Sequence, residues 1–421
     1  MVEEAAVRTP LTEAPARPAR LPATFASLRY RDYRYLWLGQ LGHSASLWME
    51  QIVRPVLILQ LTDSALMVGL VVAARMTPML LFGLLAGVAA DRFDRKRILL
   101  TTQFFTMSIH FLMAALVLSG LIAPWHVFVT TFASGTSMAF NQPARQSLIP
   151  KLVPKEALLN AVAVNTAGLN TMRVLGPSAA GVLLLWGIGP VYLLNGALIA
   201  GVMLVTILMR VPFERRAPEA EASWTADLKE SFAFLSKNPA VLSVIGPALI
   251  LFVFGFPYQS VFVPLFAKKV LDLGDSGVGA LVACTGAGAI VGSLVMASQT
   301  EVRRRGAMLL TFLALFSVGL LLFSRSSVLG LSVVALMATA SMSTSYMALT
   351  NSLLLEMSPP ELHGRVMSLM SLDRGLVPLG ATIAGALAST LGPQDGLLVM
   401  ALVCLALTGA VAATAPALRR L

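Results

Sequence analysis

The chain has 421 residues, of which 57% are apolar and 12% are charged, and its mean hydropathy is +0.78. A soluble domain carries roughly 25% charged residues, so this composition excludes an ordinary globular protein and favours a membrane protein. The net charge is +10, and the two cysteines, Cys284 and Cys404, lie in apolar stretches that indicate neither a disulfide framework nor a metal site.

The amino-terminal 28 residues are rich in Pro, Ala, Glu and Arg and contain no continuous apolar run. A signal peptide needs an uninterrupted apolar core, so residues 1–28 are predicted to form a disordered cytoplasmic tail. The segment SLRYRDYRYLWL (27–38) alternates Arg and Tyr at the edge of the first apolar stretch. Such residues favour the lipid headgroup zone, which predicts an interfacial collar leading into the first helix.

Twelve apolar stretches come next, each long enough to cross a hydrocarbon layer of about 30 Å. They predict an all-α membrane protein with a six-helix N-terminal half (29–210) and a six-helix C-terminal half (240–421). A polar cytoplasmic linker (211–239), predicted to carry a short amphipathic helix, joins the halves. The predicted spans are 36–60, 66–90, 98–119, 125–143, 157–186, 190–210, 240–266, 276–299, 307–324, 328–350, 364–391 and 395–415.

The basic residues predict the orientation. With the N-terminus inside, 24 of them fall on the tail, the linker and the inner loops, and three, Lys268, Lys269 and Arg325, fall outside. This positive-inside bias predicts a multi-pass protein of the inner (plasma) membrane with both termini in the cytoplasm. It also accounts for the net charge, so no nucleic-acid partner is expected.

The second half of the chain resembles the first. The stretch 147–162 aligns with 353–367, GPSAAG (176–181) with GATIAG (380–385) at an offset of 204, and DRFDRKRILL (91–100) with EVRRRGAMLL (301–310) at an offset of 210. A membrane protein built as two similar halves is the usual plan of a secondary transporter, whose substrate path lies between them.

The first inner loop, GVAADRFDRKR (87–97), resembles the signature loop of the major facilitator superfamily. Asp94 replaces the usual second glycine. The resemblance implies a conformational gate, in which a glycine allows close helix packing and an aspartate faces the positive end of a neighbouring helix. The alternative is a basic loop that only sets topology. The matching residues are Gly87, Asp91, Arg92, Arg95 and Lys96.

The stretches LTDSALMVGL and NQPARQSLIPKLVPKEALLNAVAVN resemble the branch of that superfamily that contains the enterobactin exporter, macrolide efflux proteins and transmembrane secretion effectors. This resemblance implies the pseudo-symmetric major facilitator fold and proton-driven export (antiport) of small organic molecules such as drugs, macrolides or siderophores. In the fifth span, Gly176 and Pro177 fit part of a drug–proton antiporter motif. Two readings stay open: a kinked helix at the interface of the halves, or ordinary packing of small residues.

Six ionisable residues fall inside the apolar spans, where an insertion cost of roughly 2.5–3.5 kcal/mol per charge requires a partner or a wet cavity. The resemblance implies that helices 1, 4, 7 and 10 line the cavity and that helices 2, 5, 8 and 11 form the seam between the halves. All six residues lie on those helices. They are Glu50, Arg54, Arg75, Arg173, Asp373 and Arg374.

Glu50 and Arg54 are four residues apart, share one helix face and can pair directly. Glu50 is a candidate proton carrier and Asp373 a second one, whereas the simpler interpretation is a static ion pair or an outward-pointing Arg54. Arg75 and Arg173 are candidates to hold these acids or to meet an anionic substrate. Weaker candidates for the cavity wall are Asn141, Gln142, Tyr258 and Gln259.

The sequence carries no pattern typical of an enzyme: it has no Walker A or H-E-x-x-H motif, and its four histidines are scattered. We therefore expect a monomeric transporter without cofactor or metal, driven by a proton gradient, whose partners are the lipid bilayer, protons and a small-molecule substrate. An importer or lipid flippase on the same fold is the alternative within transport. A receptor or assembly factor that moves nothing is the alternative outside it, and the buried acids argue against it.

Overall fold

The computed structural model describes residues 23–211, 239–298, 304–357, 376–414 and Leu418. These residues form helices and connecting turns without any strand, and twelve long helices correspond to the predicted spans. The helices are α1 (Arg31–Thr62), α2 (Ala65–Arg92), α3 (Arg95–Leu118), α4 (Pro124–Gln146), α5 (Lys155–Leu183), α6 (Ile188–Leu208), α7 (Pro239–Ile250, continued by Leu251–Gly255, Tyr258–Phe262 and Val263–Lys269), α8 (Gly274–Ser298), α9 (Arg305–Ser324), α10 (Leu329–Met357), α11 (Val377–Leu391) and α12 (Pro393–Thr414).

Within the described part of the chain, eight of these helices are long and apolar enough to cross a membrane. The other four are α1, α4, α5 and α11, of which α11 is described over 15 residues. The helices α1, α4 and α5 are less apolar because they carry charged and hydroxyl side chains along their length. Some of those side chains, Glu50 and Arg54 of α1 among them, belong to the site described below.

The ends of the helices obey local capping chemistry. Asp63 adopts a left-handed conformation after α1, and the Ser64 hydroxyl then accepts a hydrogen bond from the Met67 amide at the start of α2. Asp94, which stands in place of the usual signature-loop glycine, caps α3 by accepting from the Lys96 amide at 2.9 Å. The chain therefore replaces a flexible turn residue with a helix cap.

The amino-terminal segment is ordered earlier than predicted. A 3₁₀ helix, Ala23–Arg29, precedes α1, and the Ser27 amide donates to Asn160 Oδ1 at 2.9 Å. The predicted disordered tail is therefore wrong for its last residues, because the backbone there has a partner on α5. Residues 1–22 and the predicted amphipathic helix of the linker lie outside the described residues, apart from positions 211 and 239 of that linker.

Each half of the molecule packs as its own bundle. In the N-terminal half α1 packs on α5 and α6, α2 on α4, and α3 on α6 and α4. In the C-terminal half α10 packs on α8 and α9, and α12 on α9 and α11. The main contacts between the halves are α2 with α11 and α5 with α8, so these four helices form the predicted seam.

Two glycine–glycine contacts hold this seam together at the predicted outer end. A Cβ atom added to Gly181 of α5 would lie 2.9 Å from Gly279 Cα of α8, and one added to Gly385 of α11 would lie 3.1 Å from Gly69 Cα of α2. Only a residue without a side chain permits such an approach of two helix backbones. We call these two contacts the outer seam.

Polar side chains reinforce the outer seam. Lys269 Nζ, at the end of α7, lies 2.8 Å from Asp63 Oδ1, beside the start of α2. Gln60 of α1 donates to Asp275 of α8, which also pairs with Lys268 at 2.7 Å. These side-chain contacts between the two halves all lie at one end of the molecule. The structure is therefore closed at the predicted outer end.

Candidate functional site

The centre of the candidate site is an ion pair inside α1. Glu50 and Arg54 lie one helical turn apart on the face that turns into the N-terminal half, and their exposed fractions are 2% and 1%. Arg54 Nη2 lies 2.5 Å and Arg54 Nε 3.2 Å from the same carboxylate oxygen, Oε1. The pair predicted from the four-residue spacing is present, and Arg54 does not point outward.

Helix α4 completes the shell around Arg54. Arg54 Nη1 donates to Thr131 Oγ1 at 2.5 Å, and Nη2 donates to Ser134 Oγ at 2.8 Å. These two hydroxyl groups lie nearly one turn apart on α4, so the guanidinium group joins α4 to α1. A buried charge needs this kind of full hydrogen bonding, because its transfer from water is otherwise very unfavourable.

A second guanidinium group reaches Glu50 from the seam. Arg75 of α2 places Nη2 3.4 Å from Glu50 Oε2, and its side chain is 12% exposed. Gly135 of α4 fits against the Arg75 carbonyl, so the α2 backbone is tightly packed at this level. Glu50 thus lies between two arginines, one sealed within the half and one on a helix that contacts the other half.

A histidine that the sequence patterns did not single out is the fourth member of this site. His110 of α3 is fully buried, its Nδ1 lies 3.5 Å from Glu50 Oε1, and its Nε2 lies 3.2 Å from Ser46 Oγ. Its ring packs 6.3 Å from that of Tyr192 of α6. The available signal was a histidine in the middle of an apolar run. We call Glu50, Arg54, Arg75 and His110 the Glu50 cluster.

Arg173 of α5 occupies a separate position. Its guanidinium carbon lies 5.3 Å from the centre of the Trp48 ring of α1, a cation–π contact, and its Nε has no hydrogen-bond partner among the described residues. Within the same part of the chain, no carboxylate lies within ion-pair distance of it. Asp373 and Arg374, the two charged residues predicted inside helix 11, lie outside the described residues, so their roles stay predictions.

The weaker cavity candidates lie in contacts within their own halves. Asn141 is 2% exposed, donates to Thr102 of α3 at 2.8 Å and accepts from Arg145 Nε at 3.3 Å. Arg145, which the sequence placed in an inner loop, is buried in the last turn of α4. Asn141 therefore supports a buried arginine in this conformation, where we had predicted a cavity wall. Gln142, its neighbour, is partly buried.

The two candidates on α7 are likewise buried. The ring of Tyr258 lies 5.9 Å from that of Phe316 of α9, and Gln259 donates to Thr285 of α8 at 3.1 Å. Both contacts stay inside the C-terminal half. They are explained by packing, and exposure of these side chains to substrate stays a prediction for another conformation.

The signature loop shows one new contact and leaves its gate role a prediction. Lys96 Nζ donates to the carbonyls of Ile207 and Met209, at 2.8 and 2.7 Å, and so caps the end of α6. No described atom lies within 4 Å of a Cβ placed on Gly87, so the predicted close approach there stays a prediction. The side chains of Asp91 and Arg92 lie outside the described residues; Arg95 begins α3.

Gly176 and Gly181, the two glycines of the motif-like segment of α5, make different contacts. A Cβ on Gly176 would lie 2.8 Å from Trp48 Cβ of α1, so Gly176 provides packing within the N-terminal half. Pro177 comes directly after it inside the helix and is buried. Gly181, further along, makes the contact between the halves. The interface prediction therefore fits Gly181, and the small-residue interpretation fits Gly176.

The described residues contain no group of histidine, cysteine, aspartate and glutamate side chains that could hold a metal ion. What the Glu50 cluster offers is a buried carboxylate, two guanidinium groups and an imidazole in mutual reach. Such a group of ionisable side chains inside a membrane bundle is suited to binding a proton or a charged group of a substrate.

The transmembrane secretion effector family matches residues 22–420. The staphyloferrin A transporter of Staphylococcus aureus is 24% identical over 364 residues, which covers 85% of this chain and 86% of that protein. Macrolide efflux protein A of Streptococcus pyogenes is 24% identical over 389 residues, which covers 88% and 93%.

A solved structure agrees at the level of the fold. A bacterial homologue of the human lysosomal transporter Spinster superposes with a TM-score of 0.75 at 15% identity, covering 93% of this chain and 97% of that one. The predicted major facilitator fold and the predicted branch are both confirmed. With a family match over nearly its whole length, the chain belongs to the transmembrane secretion effectors, transporters of the major facilitator superfamily.

Proposed function

We propose that this protein exports a small organic molecule across the cell membrane by alternating access, in exchange for protons that bind in the Glu50 cluster. The substrate classes we favour are macrolides and other drugs, or siderophores. Support for export comes from the efflux protein among the relatives, and support for orientation from the basic residues of the predicted cytoplasmic end.

The observation that carries this proposal is the position of Glu50. It is a carboxylate buried to 2% exposure, and it contacts both Arg54 and Arg75. Arg75 belongs to α2, whose Gly69 forms half of one contact of the outer seam. A change of charge in this cluster therefore acts on a helix that holds the two halves together, and a driving ion must have such a connection.

The proposal is tested with the full-length protein in proteoliposomes that carry an imposed proton gradient, with erythromycin and ethidium as probes. We expect the wild type to accumulate at least one probe against its gradient, and Glu50→Gln to lose that accumulation while it still binds the probe. The second candidate acid is tested in parallel by Asp373→Asn. Glu156→Gln, which changes an exposed acid at the start of α5, is the control and should transport normally.

Two results contradict the proposal. If neither probe accumulates, export of macrolides and of drugs such as ethidium is rejected. The importer, flippase and receptor alternatives then stand. Accumulation that is unchanged in Glu50→Gln, in Asp373→Asn and in the double variant rejects proton coupling through either acid.

A further inference from the structure

We propose that the coupling proton resides on His110, while Glu50 stays ionised and passes the change of charge to Arg75. This inference rests on the proposed proton-coupled transport and names the residue of the Glu50 cluster that binds the proton. The geometry that carries it is a buried imidazole with a carboxylate on one side and a hydroxyl group on the other.

The first argument compares two places for the same proton. On Glu50, the proton would neutralise the group that lies between Arg54 and Arg75, and two buried guanidinium groups would face each other without a counter-charge. On His110, the proton leaves Glu50 charged and places a cation 3.5 Å from its Oε1. The added charge is the same in both cases, but only the second leaves an ionised carboxylate among the cations of the cluster.

The second argument concerns the neighbours of the ring. Ser46 lies 3.2 Å from Nε2, and a serine hydroxyl can donate to a neutral ring nitrogen or accept from a protonated one. Glu50 Oε1 lies 3.5 Å from Nδ1, which is ion-pair distance, and no described group forms a hydrogen bond to that nitrogen in this conformation. We assign the neutral ring its hydrogen on Nδ1 because that nitrogen faces the carboxylate. The incoming proton then adds to Nε2, and the Ser46 hydroxyl turns to accept from it.

The surroundings of His110 fit this assignment. Among the described residues, Glu50 is the acidic side chain that faces the His110 ring. Helix α4 contributes the hydroxyl groups of Thr131 and Ser134 to Arg54. The other titratable or charged groups are His43 and Arg54 of α1, Arg75 of α2 and Tyr192 of α6.

A proton on His110 has a specific consequence for the seam. The imidazolium ion attracts the Glu50 carboxylate away from its other partners. Of the two arginines, Arg75 is held less firmly, at 3.4 Å with a partly exposed side chain, whereas Arg54 has two further hydroxyl partners. The contact that weakens is therefore the one with α2. Protonation of His110 in this way frees Arg75, which lies on a helix of the outer seam.

Infrared difference spectroscopy of the full-length protein in liposomes, recorded on acidification without any substrate, tests where the proton goes. We expect an imidazole protonation signal that His110→Gln removes and that His43→Gln, a change at a second buried histidine on α1, retains. A protonated-carboxyl band that Glu50→Gln removes would overturn the inference. So would an imidazole signal that survives in His110→Gln, or the absence of any imidazole signal.

Transport gives an independent readout. With the probe that the wild type accumulates, erythromycin or ethidium, we expect His110→Gln to lose proton-driven accumulation by about tenfold or more, as for a typical coupling energy, and to retain exchange of that probe across the membrane. His43→Gln should keep both. Unchanged proton-driven accumulation in His110→Gln would overturn the inference. Absence of proton-driven accumulation of both ethidium and erythromycin in the wild type would instead refute the proposed function, whichever residue the infrared data identify.

Discussion

Glu50 contacts side chains from two other helices besides a residue of its own helix, and this arrangement favours a functional role over a stabilising one. A buried ion pair is weak support for stability, because the desolvation of its charges offsets most of the attraction. Removal of one partner leaves the others unpaired, at a cost of about 3–5 kcal/mol. The same side chain joins Arg54 within the N-terminal half to Arg75 at the seam. Its value therefore lies in connecting two elements.

At this scale the sequence predicts only the contacts that depend on spacing along one helix. The Glu50–Arg54 pair was predictable because residues four apart share a face. The contacts of Glu50 with Arg75 and His110 were not, since they depend on how α2 and α3 are rotated against α1. Arg145 was misplaced for a related reason: its burial depends on Asn141 and on the neighbouring helix α1, which periodicity does not encode.

Asp63 gives a residue-scale prediction with a defined pH dependence. The hydrogen bond and the charge of Lys269 hold the pKa of Asp63 below its ordinary value. The contribution of this pair to the closed outer end is therefore fully present above the ordinary pKa, near 4, and is lost as the pH falls through the lowered pKa. Outer closure should not change between about pH 8 and pH 5 on account of this pair.

The substitution Asp63→Asn removes the charge at every pH and should open the outer end slightly at neutral pH. The effect should be small because the Asp63 carboxylate is 86% exposed to water. Asparagine tolerates the left-handed backbone of this position, φ 47°, so strain does not confuse the result. Asp272→Asn is the matched control: it has φ 50°, lies at the same end and shows no ion-pair partner among the described residues. For both variants, opening is measured as the distance between two spin labels at the outer end, one on each half of the molecule.

At the scale of elements, the outer seam repeats the internal symmetry of the chain. The offset from Gly69 to Gly279 is 210 residues and that from Gly181 to Gly385 is 204, the same two offsets that relate the halves in sequence. Gly181 contacts Gly279, which is the equivalent of Gly69 in the second half. Gly69 in turn contacts Gly385, which is the equivalent of Gly181. The repeat GPSAAG/GATIAG pointed to one member of each contact. The other members were not predictable, because a lone glycine in an apolar helix does not specify which helix it faces.

Helix α7 shows a second limit of periodicity. Its middle is wound as two π-helical segments, Leu251–Gly255 and Tyr258–Phe262, on either side of Phe256 and Pro257. A proline lacks the backbone N–H that continues an α-helix, so a local widening of the helix is a physical response. An apolar run predicts the length of this span but cannot predict how its turns are wound.

Gly279→Val is expected to prevent closure of the outer end. The added side chain would collide with the Gly181 backbone, and overpacking of this kind typically costs about 1–3 kcal/mol. Since about 1.4 kcal/mol changes a population ratio tenfold, the closed state should become a minor one. Spin labels on cysteines at Leu121 and Val328, both exposed, should report longer distances in a variant that lacks Cys284 and Cys404.

The control for this change is Gly201→Val on α6. No described atom lies within 4 Å of a Cβ at Gly201, so the same residue can be inserted there without collision. If Gly279→Val gives the same distance distribution as the wild type, then α5 and α8 are not in contact in the membrane. A shift equal to that of Gly201→Val would lead to the same conclusion.

For the whole molecule, the fold was predictable and the conformation was not. Composition, twelve apolar runs and the internal repeat each specify the two-bundle architecture, because a membrane leaves a chain few other ways to satisfy its backbone. A transporter sequence must be compatible with at least two arrangements of its halves. Nothing in the sequence decides which one is populated. Closure at the end that carries Asp63 and Lys269 is therefore information that the structure adds.

The orientation of the molecule decides what that closure means, and it can be measured directly. Cysteines at Leu121 and Val328, in the loops before α4 and α10, should react in intact cells with a maleimide that cannot cross membranes. A cysteine at Glu219, in the linker, should react only after the cells are permeabilised, because the distribution of basic residues predicts that side to be cytoplasmic. The opposite labelling pattern would reverse the topology. The closed end would then face the cytoplasm, and uptake of substrate from outside would replace export as the favoured function.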